Sequence, residues 1–131
     1  MPVIRTALLL SLALLAACAQ TPSSVTLEQK QQGKCPLSLQ LGQQFILRLP
    51  SNPTTGFRWL IRDSAANVLQ SLGPEVYSNP EDAGLVGSAG RSTWRFQAKQ
   101  PGEGRLLLTY QRPWEVGVVP AQSFDCTIRV K

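Results

Sequence analysis

The sequence predicts an all-β sandwich. Apolar and polar side chains alternate in several short runs, turn residues separate those runs, and no stretch has the spacing of a long helix. The predicted strands cover residues 37–41, 44–49, 57–62, 75–78, 93–99, 106–110 and 124–131. Six or seven short strands are typical of two packed sheets, and 131 residues suit one such domain.

The core of the predicted sandwich follows from the register of each strand. The apolar residues that share one face are Leu37, Leu39, Leu41, Phe45, Leu47, Leu49, Phe57, Trp59, Ile61, Trp94, Phe96, Ala98, Leu106, Leu108, Tyr110, Phe124, Ile128 and Val130. Side chains at alternate positions of a strand point to the same side of its sheet, so these residues should face inward. We expect Trp59 and Trp94 to fill the space between the two sheets.

An export signal is predicted over residues 1–17. Arg5 precedes an apolar run at 7–15 that is too short to span a bilayer, and small residues close the run. The quartet Leu15-Ala16-Ala17-Cys18 resembles the bacterial lipobox, which implies that Cys18 carries acyl chains and anchors the protein to a membrane. A plain signal peptide that leaves Cys18 as a free thiol is the alternative.

Residues 18–34 are predicted to be the lipidated N-terminus and a flexible tether, because Gln, Ser, Thr and Lys dominate them and no structural period repeats. The folded domain is then expected over 35–131. We expect an exported lipoprotein of the bacterial cell envelope that faces the periplasm. Ala19 is not the aspartate associated with inner-membrane retention, which favours the outer membrane.

Two further cysteines, Cys35 and Cys126, lie in strand-like stretches and in register with inward apolar residues. In an oxidising compartment they are candidates for a disulfide between the first and last predicted strands. On the chain-entropy model its long loop would contribute about 4 to 5 kcal/mol. Two buried reduced thiols remain the alternative, since inward orientation alone does not bring the sulfur atoms within bonding distance.

The composition excludes most catalysis. The chain contains no histidine, so no Ser-His or Cys-His pair can activate a nucleophile and no histidine can bind a metal. The cysteines are too few for a thiolate cluster, and no glycine-rich phosphate loop joins a strand to a helix. The net charge of +5 is mild and its cations are scattered, which argues against nucleic acid. We therefore expect no enzyme, no cofactor and no metal, but a binding surface.

Three loops, at 52–57, 85–90 and 112–115, should lie at one end of a sandwich whose strands alternate in direction. Pro53 stiffens the first loop and Gly56 can adopt a positive φ. Trp114 follows a proline outside any inward alternation, so its indole should be exposed and suited to an interface. The alternatives are a plain connecting turn at 52–57 and a tryptophan that folds back over the end of the sandwich.

These loops resemble the three loop motifs of the chagasin-type inhibitors of papain-like cysteine peptidases, in the same order, and the resemblance covers 35–131. The motif residues are Asn52, Pro53, Thr54, Thr55, Gly56, Phe57, Gly87, Ser88, Ala89, Gly90, Arg112, Pro113 and Trp114. Ala89 stands where that family usually has glycine.

The resemblance implies an immunoglobulin-like β-sandwich of about seven strands whose loops dock as a wedge into the peptidase cleft. Thr55 would then lie near the catalytic thiolate, 87–90 along the non-primed side, and Trp114 on the primed side. We expect a monomer. A reversible, membrane-tethered peptidase inhibitor is the first hypothesis. The alternatives are an envelope structural or adhesive module and an inhibitor of another exported enzyme, such as a lysozyme.

Overall fold

The computed structural model describes residues 22–79 and 90–131. Within them the chain forms nine strands and two short 3₁₀ helices, which are Gln29–Lys34 and Pro53–Thr55. The strands are β1 (Ser24–Glu28), β2 (Leu37–Leu39), β3 (Gln44–Ser51), β4 (Arg58–Ser64), β5 (Leu69–Ser71), β6 (Val76–Ser78), β7 (Gly90–Ala98), β8 (Gly102–Gln111) and β9 (Gln122–Val130).

The strands form two packed sheets, which confirms the predicted sandwich. One sheet has the order β1-β3-β7-β5, and β6 also pairs with β7. The other has the order β2-β9-β8-β4. Strand β1 runs parallel to β3 and β2 parallel to β9, while the other pairs are antiparallel. The described part has two strands more than predicted. Strand β1 was not expected, and residues 63–72, which contain β5, fitted a short helical turn as readily as a strand.

The core lies between the sheets and uses the predicted alternation. The inward residues of β3, β7, β8 and β9 are buried, and nearly all of them belong to one apolar cluster. Trp59 and Trp94 meet edge to face across the core, with ring centroids 6.5 Å apart. The two indoles therefore fill the space between the sheets as expected.

Two predicted inward residues are exposed. Ile61 is 45% exposed although it pairs with Leu108 in the same register that pairs Trp59 with Tyr110. It lies on β4, an edge strand whose pairing with β8 shifts register directly after Ile61. Leu41 lies beyond the end of β2, in the turn before β3, where its side chain is exposed. Alternation of apolar residues does not reveal either interruption.

The predicted flexible tether over 18–34 is wrong from Ser24 onward. Residues Ser24–Glu28 pair with β3, and Leu27 is 1% exposed in the core. The following 3₁₀ helix packs against β9, where the Gln29 side-chain amide donates to the Ser123 carbonyl at 3.2 Å. Only two apolar residues alternate in β1, which is too short a pattern to stand out in a polar stretch. The predicted signal peptide and Cys18 lie outside the described residues.

A disulfide joins Cys35 to Cys126, which confirms the predicted pairing. Cys35 lies between the first 3₁₀ helix and β2, so the bond ties that segment, and not the first strand, to β9. The bonded residues are 91 positions apart in the sequence, and closing a loop of this length contributes about 4 to 5 kcal/mol on the chain-entropy model.

Candidate functional site

The first predicted loop is a single 3₁₀ turn between β3 and β4. Pro53 opens the turn, and Gly56 closes it with φ of +83°, a conformation that favours glycine. The Thr54 hydroxyl donates to the Asn52 side-chain oxygen at 2.5 Å, and the Thr55 hydroxyl donates to the Asn52 carbonyl at 2.8 Å. Both threonines are exposed. The apex is thus a compact turn whose hydroxyls are bonded within it.

Core aromatic residues hold the base of this turn. The Tyr110 hydroxyl accepts the Asn52 N–H at 2.9 Å, and the Trp59 indole N–H donates to the Pro50 carbonyl at 2.9 Å. The Tyr110 ring also lies 4.9 Å from Trp59 and 5.2 Å from Phe57, measured between centroids. Because these rings belong to the packed core, the position of the turn is set by the sandwich itself.

A guanidinium also braces the turn from outside. The Arg58 guanidinium donates to the Pro53 and Phe57 carbonyls, each at 2.9 Å. Sequence reasoning assigned no site role to Arg58 or to the Tyr110 hydroxyl. Arg58 directly follows the first motif in the sequence, and Tyr110 lies two residues before the third. Only the folded structure shows that both form hydrogen bonds to the first loop.

The third predicted loop contacts the first through Arg112. Its guanidinium donates to the Thr55 carbonyl at 3.3 Å, lies 4.8 Å from the centre of the Phe57 ring, and pairs with the Glu115 carboxylate at 3.2 Å. The Glu115 N–H donates to the Arg112 carbonyl at 3.1 Å and closes a tight turn around Pro113. One side chain therefore joins two loops that are distant in sequence.

Trp114 is 67% exposed, as the sequence predicted, and its indole lies over Gly56. A Cβ atom at position 56 would be 2.5 Å from the Trp114 Cη2 atom, closer than real contacts allow. Glycine at this position serves both the left-handed turn and the approach of the indole. The ring leans on the first loop and still presents most of its surface to solvent.

The structure describes only the last residue of the middle motif. Gly87, Ser88 and Ala89 lie outside the described residues. Gly90 begins β7, is buried, and pairs with Ser51, the residue before Asn52. The Tyr77 ring packs against its α-carbon, so that a side chain at position 90 would collide with the ring. The chain therefore enters β7 beside the first loop.

The described residues place no group of three or more His, Cys, Asp or Glu side chains where it could hold a metal ion. Within the same ranges, no helix has the length and hydropathy needed to cross a bilayer. Two guanidinium groups of the described residues donate to the turn, those of Arg58 and Arg112, and Arg112 is also paired with the Glu115 carboxylate. The arrangement presents two braced loops and an exposed indole, a geometry suited to filling a groove.

The model of the chagasin family of peptidase inhibitors matches residues 38–128. The chain belongs to that family. It is 32% identical over 82 residues to chagasin from Trypanosoma cruzi, covering 60% of this chain and 73% of that protein. It is 30% identical over 78 residues to amoebiasin-1 from Entamoeba histolytica, covering 60% of this chain and 74% of that protein.

A solved structure of a cysteine protease inhibitor from Entamoeba histolytica matches with a TM-score of 0.69 at 22% identity. The match covers 82% of this chain and 96% of that one. This likeness shows that the chain has the immunoglobulin-like sandwich of the chagasin inhibitors. The chain is accordingly a peptidase inhibitor and not an enzyme. The comparisons support neither an adhesive envelope module nor a lysozyme inhibitor.

Proposed function

We propose that this chagasin-family domain reversibly inhibits papain-like cysteine peptidases by filling the active-site cleft with three loops. The observation that carries the proposal is the joined geometry of the first and third loops. The Arg112 guanidinium donates a hydrogen bond to the Thr55 carbonyl, and the Trp114 indole lies over Gly56. Two motifs that the family resemblance assigns to one binding edge thus form one continuous surface.

The turn explains why the inhibitor would occupy the cleft without being cut. A peptidase attacks a peptide bond that is held in a near-attack geometry. Residues Pro53–Thr55 form a 3₁₀ turn with a bond from the Gly56 N–H to the Pro53 carbonyl at 3.1 Å. Opening the turn to an extended strand would break this bond and those of both threonine hydroxyls. The backbone carbonyls near Thr55 are therefore held away from the pose of a substrate.

Affinity would come from preformed loops and from Trp114. The loops are ordered by contacts within the domain, so little conformational entropy is lost on binding. Covering an exposed indole removes roughly 150 Å² of apolar surface, which at about 25 cal/mol per Å² gives about 4 kcal/mol. This is a change of several hundred-fold in the inhibition constant.

The test is inhibition of papain by the full chain and by two variants. Trp114→Ala should raise the inhibition constant several hundred-fold, and Thr55→Arg by at least as much, since it would bury an uncompensated charge at the apex. Thr26→Arg, the same change at an exposed position in β1, should inhibit like the parent. Absence of inhibition by the parent at micromolar concentration would refute the proposed function.

We also propose that Cys18 carries the lipid anchor and that the domain faces the periplasm from the outer membrane. Strand β1 runs parallel to β3, with Ser24 opposite Gln44, so Ser24 lies at the end of the sandwich away from Asn52. Residues 19–23 separate Cys18 from Ser24 and can span at most about 20 Å. A short anchor at this end would leave the three loops pointing away from the membrane.

The anchor is tested by mass spectrometry of the mature protein. Acyl chains on an N-terminal Cys18 are expected, together with recovery of the protein in the outer-membrane fraction. The variant Cys18→Ser should appear in the soluble fraction and keep its inhibitory activity. An unmodified Cys18 in the purified mature protein would refute the anchor and leave the proposed inhibition standing.

A further inference from the structure

The third loop carries a second apolar feature beyond Trp114. Val116, Val118 and Val119 are 94%, 50% and 86% exposed. Together with Trp114 they place four large apolar side chains within six residues of exposed loop. A contiguous exposed apolar segment on a soluble domain marks an interaction surface. The three valines lie outside the loop motifs that characterise the family resemblance.

The segment is held at both ends. On one side, the Arg112 carbonyl accepts the Glu115 N–H and the two side chains pair at 3.2 Å. On the other side, the Ala121 N–H donates to the Tyr110 carbonyl at 2.9 Å, directly before β9. The valines therefore project from a fixed base. An apolar surface on a fixed base loses less conformational entropy on binding than one on an unanchored chain.

We propose that Val116, Val118 and Val119 extend the inhibitor's contact onto an apolar surface of the peptidase that flanks the cleft beyond the Trp114 subsite. The inference rests on the proposed function. Only Glu115 separates Trp114 from Val116, and Arg112 neutralises its carboxylate. The surface from the indole to Val119 thus carries no unpaired charge and fits an uncharged apolar partner. Peptidases that carry such a surface are the preferred targets.

Two observations favour a peptidase over a lipid bilayer as the occupant. The valines lie at the end of the sandwich that holds Asn52, while Pro22 and Ser23 lie at the other end. Membrane-inserting segments also flank their apolar residues with cations that meet lipid phosphates. The cation on this loop, Arg112, is already engaged by Glu115 and Thr55.

The test compares inhibition of papain by the parent chain and by the triple variant Val116→Ser, Val118→Ser, Val119→Ser. The triple variant should raise the inhibition constant about 10- to 100-fold through faster dissociation, with an unchanged association rate. Its melting temperature should match that of the parent, because the substituted side chains are exposed. Val76→Ser alters an exposed valine on β6 and should change neither quantity.

The other outcomes separate this inference from the proposed function. If the parent fails to inhibit papain, the proposed function falls and this contact with it. If Trp114→Ala weakens inhibition while the triple variant inhibits like the parent, the contact is overturned and the proposed function stands. If the triple variant inhibits papain like the parent, two further measurements would show what the valines contact instead. Brominated lipids in vesicles that quench the tryptophan fluorescence of the parent but not of the triple variant would assign the valines to the bilayer. Self-association of the parent in sedimentation that the triple variant lacks would assign them to a second copy of the chain.

Discussion

The indole of Trp114 rests on the α-carbon of Gly56, with no room for a side chain between them. The exposed anchor of the third loop is therefore positioned by the backbone of the first. Arg112 adds a second connection through the Thr55 carbonyl. Because of these two contacts, a substitution in the first or the third loop should shift the position of the other loop as well.

Gly56→Ala should weaken inhibition more than it destabilises the fold. A non-glycine residue at φ of +83° costs about 1 kcal/mol in unfolding free energy. The new Cβ would in addition displace the Trp114 ring and raise the inhibition constant about 10-fold or more. Gly42→Ala is a matched control, since Gly42 has φ of +85° with open space around it. Urea unfolding should show an equal loss of stability in Gly56→Ala and Gly42→Ala. Inhibition of papain should weaken only for Gly56→Ala.

Arg112→Lys should weaken inhibition although the charge is kept. An ammonium group cannot reproduce the planar fork that contacts the Thr55 carbonyl, the Glu115 carboxylate and the Phe57 ring together. We expect the inhibition constant to rise about 5- to 10-fold, equivalent to about 1 kcal/mol. Arg105→Lys changes another paired arginine, on the face formed by β8 and β9, and should inhibit like the parent. Equal inhibition by both variants would show that Arg112 does not couple the loops.

Leu27→Ala should destabilise the domain by about 2 to 5 kcal/mol, the usual range for a fully buried leucine. Thr26→Ala changes the exposed neighbour and should cost less than about 0.5 kcal/mol. Thermal and urea unfolding measure both values. If β1 were a detached tether, the two substitutions would leave stability equally unchanged.

Asp125→Asn should reduce stability at neutral pH and have little effect in acid. The hydrogen bonds from Arg105, at 2.8 and 3.0 Å, lower the pKa of the Asp125 carboxyl below its ordinary value. A carboxyl whose pKa is lower in the folded state adds stability above its unfolded pKa and loses it as the pH falls through the folded pKa. Both partners are largely exposed, so the difference should be small.

Urea unfolding of parent and variant from pH 7 to pH 2 tests this dependence. Their stabilities should differ at pH 7 and converge as the carboxyl is protonated. No histidine is present to add a transition between pH 5 and 8, so the difference should be constant over that range. A difference that grows toward low pH would contradict the assigned direction of the pKa change.

Much of the site could be predicted because its parts are local. Pro53 and Gly56 mark a turn through their own backbone preferences, and Trp114 falls outside every inward alternation. The Tyr110 hydroxyl could not be assigned, because its register predicts burial and says nothing about what its oxygen bonds. The valines after Trp114 were also missed, since they match neither a strand pattern nor a family motif.

The sequence by itself determined the inward residues of β3, β7, β8 and β9 and the turns between the strands, because burial on one face of a strand imposes a two-residue period. It also determined the absence of histidine-based chemistry. Tertiary structure alone decided that Ser24–Glu28 joins the sheet, since parallel pairing with β3 supplies hydrogen bonds that the polar segment cannot signal. It also decided that Arg112 meets Thr55 and that Trp114 covers Gly56, because contacts between distant loops depend on how the sandwich brings its ends together.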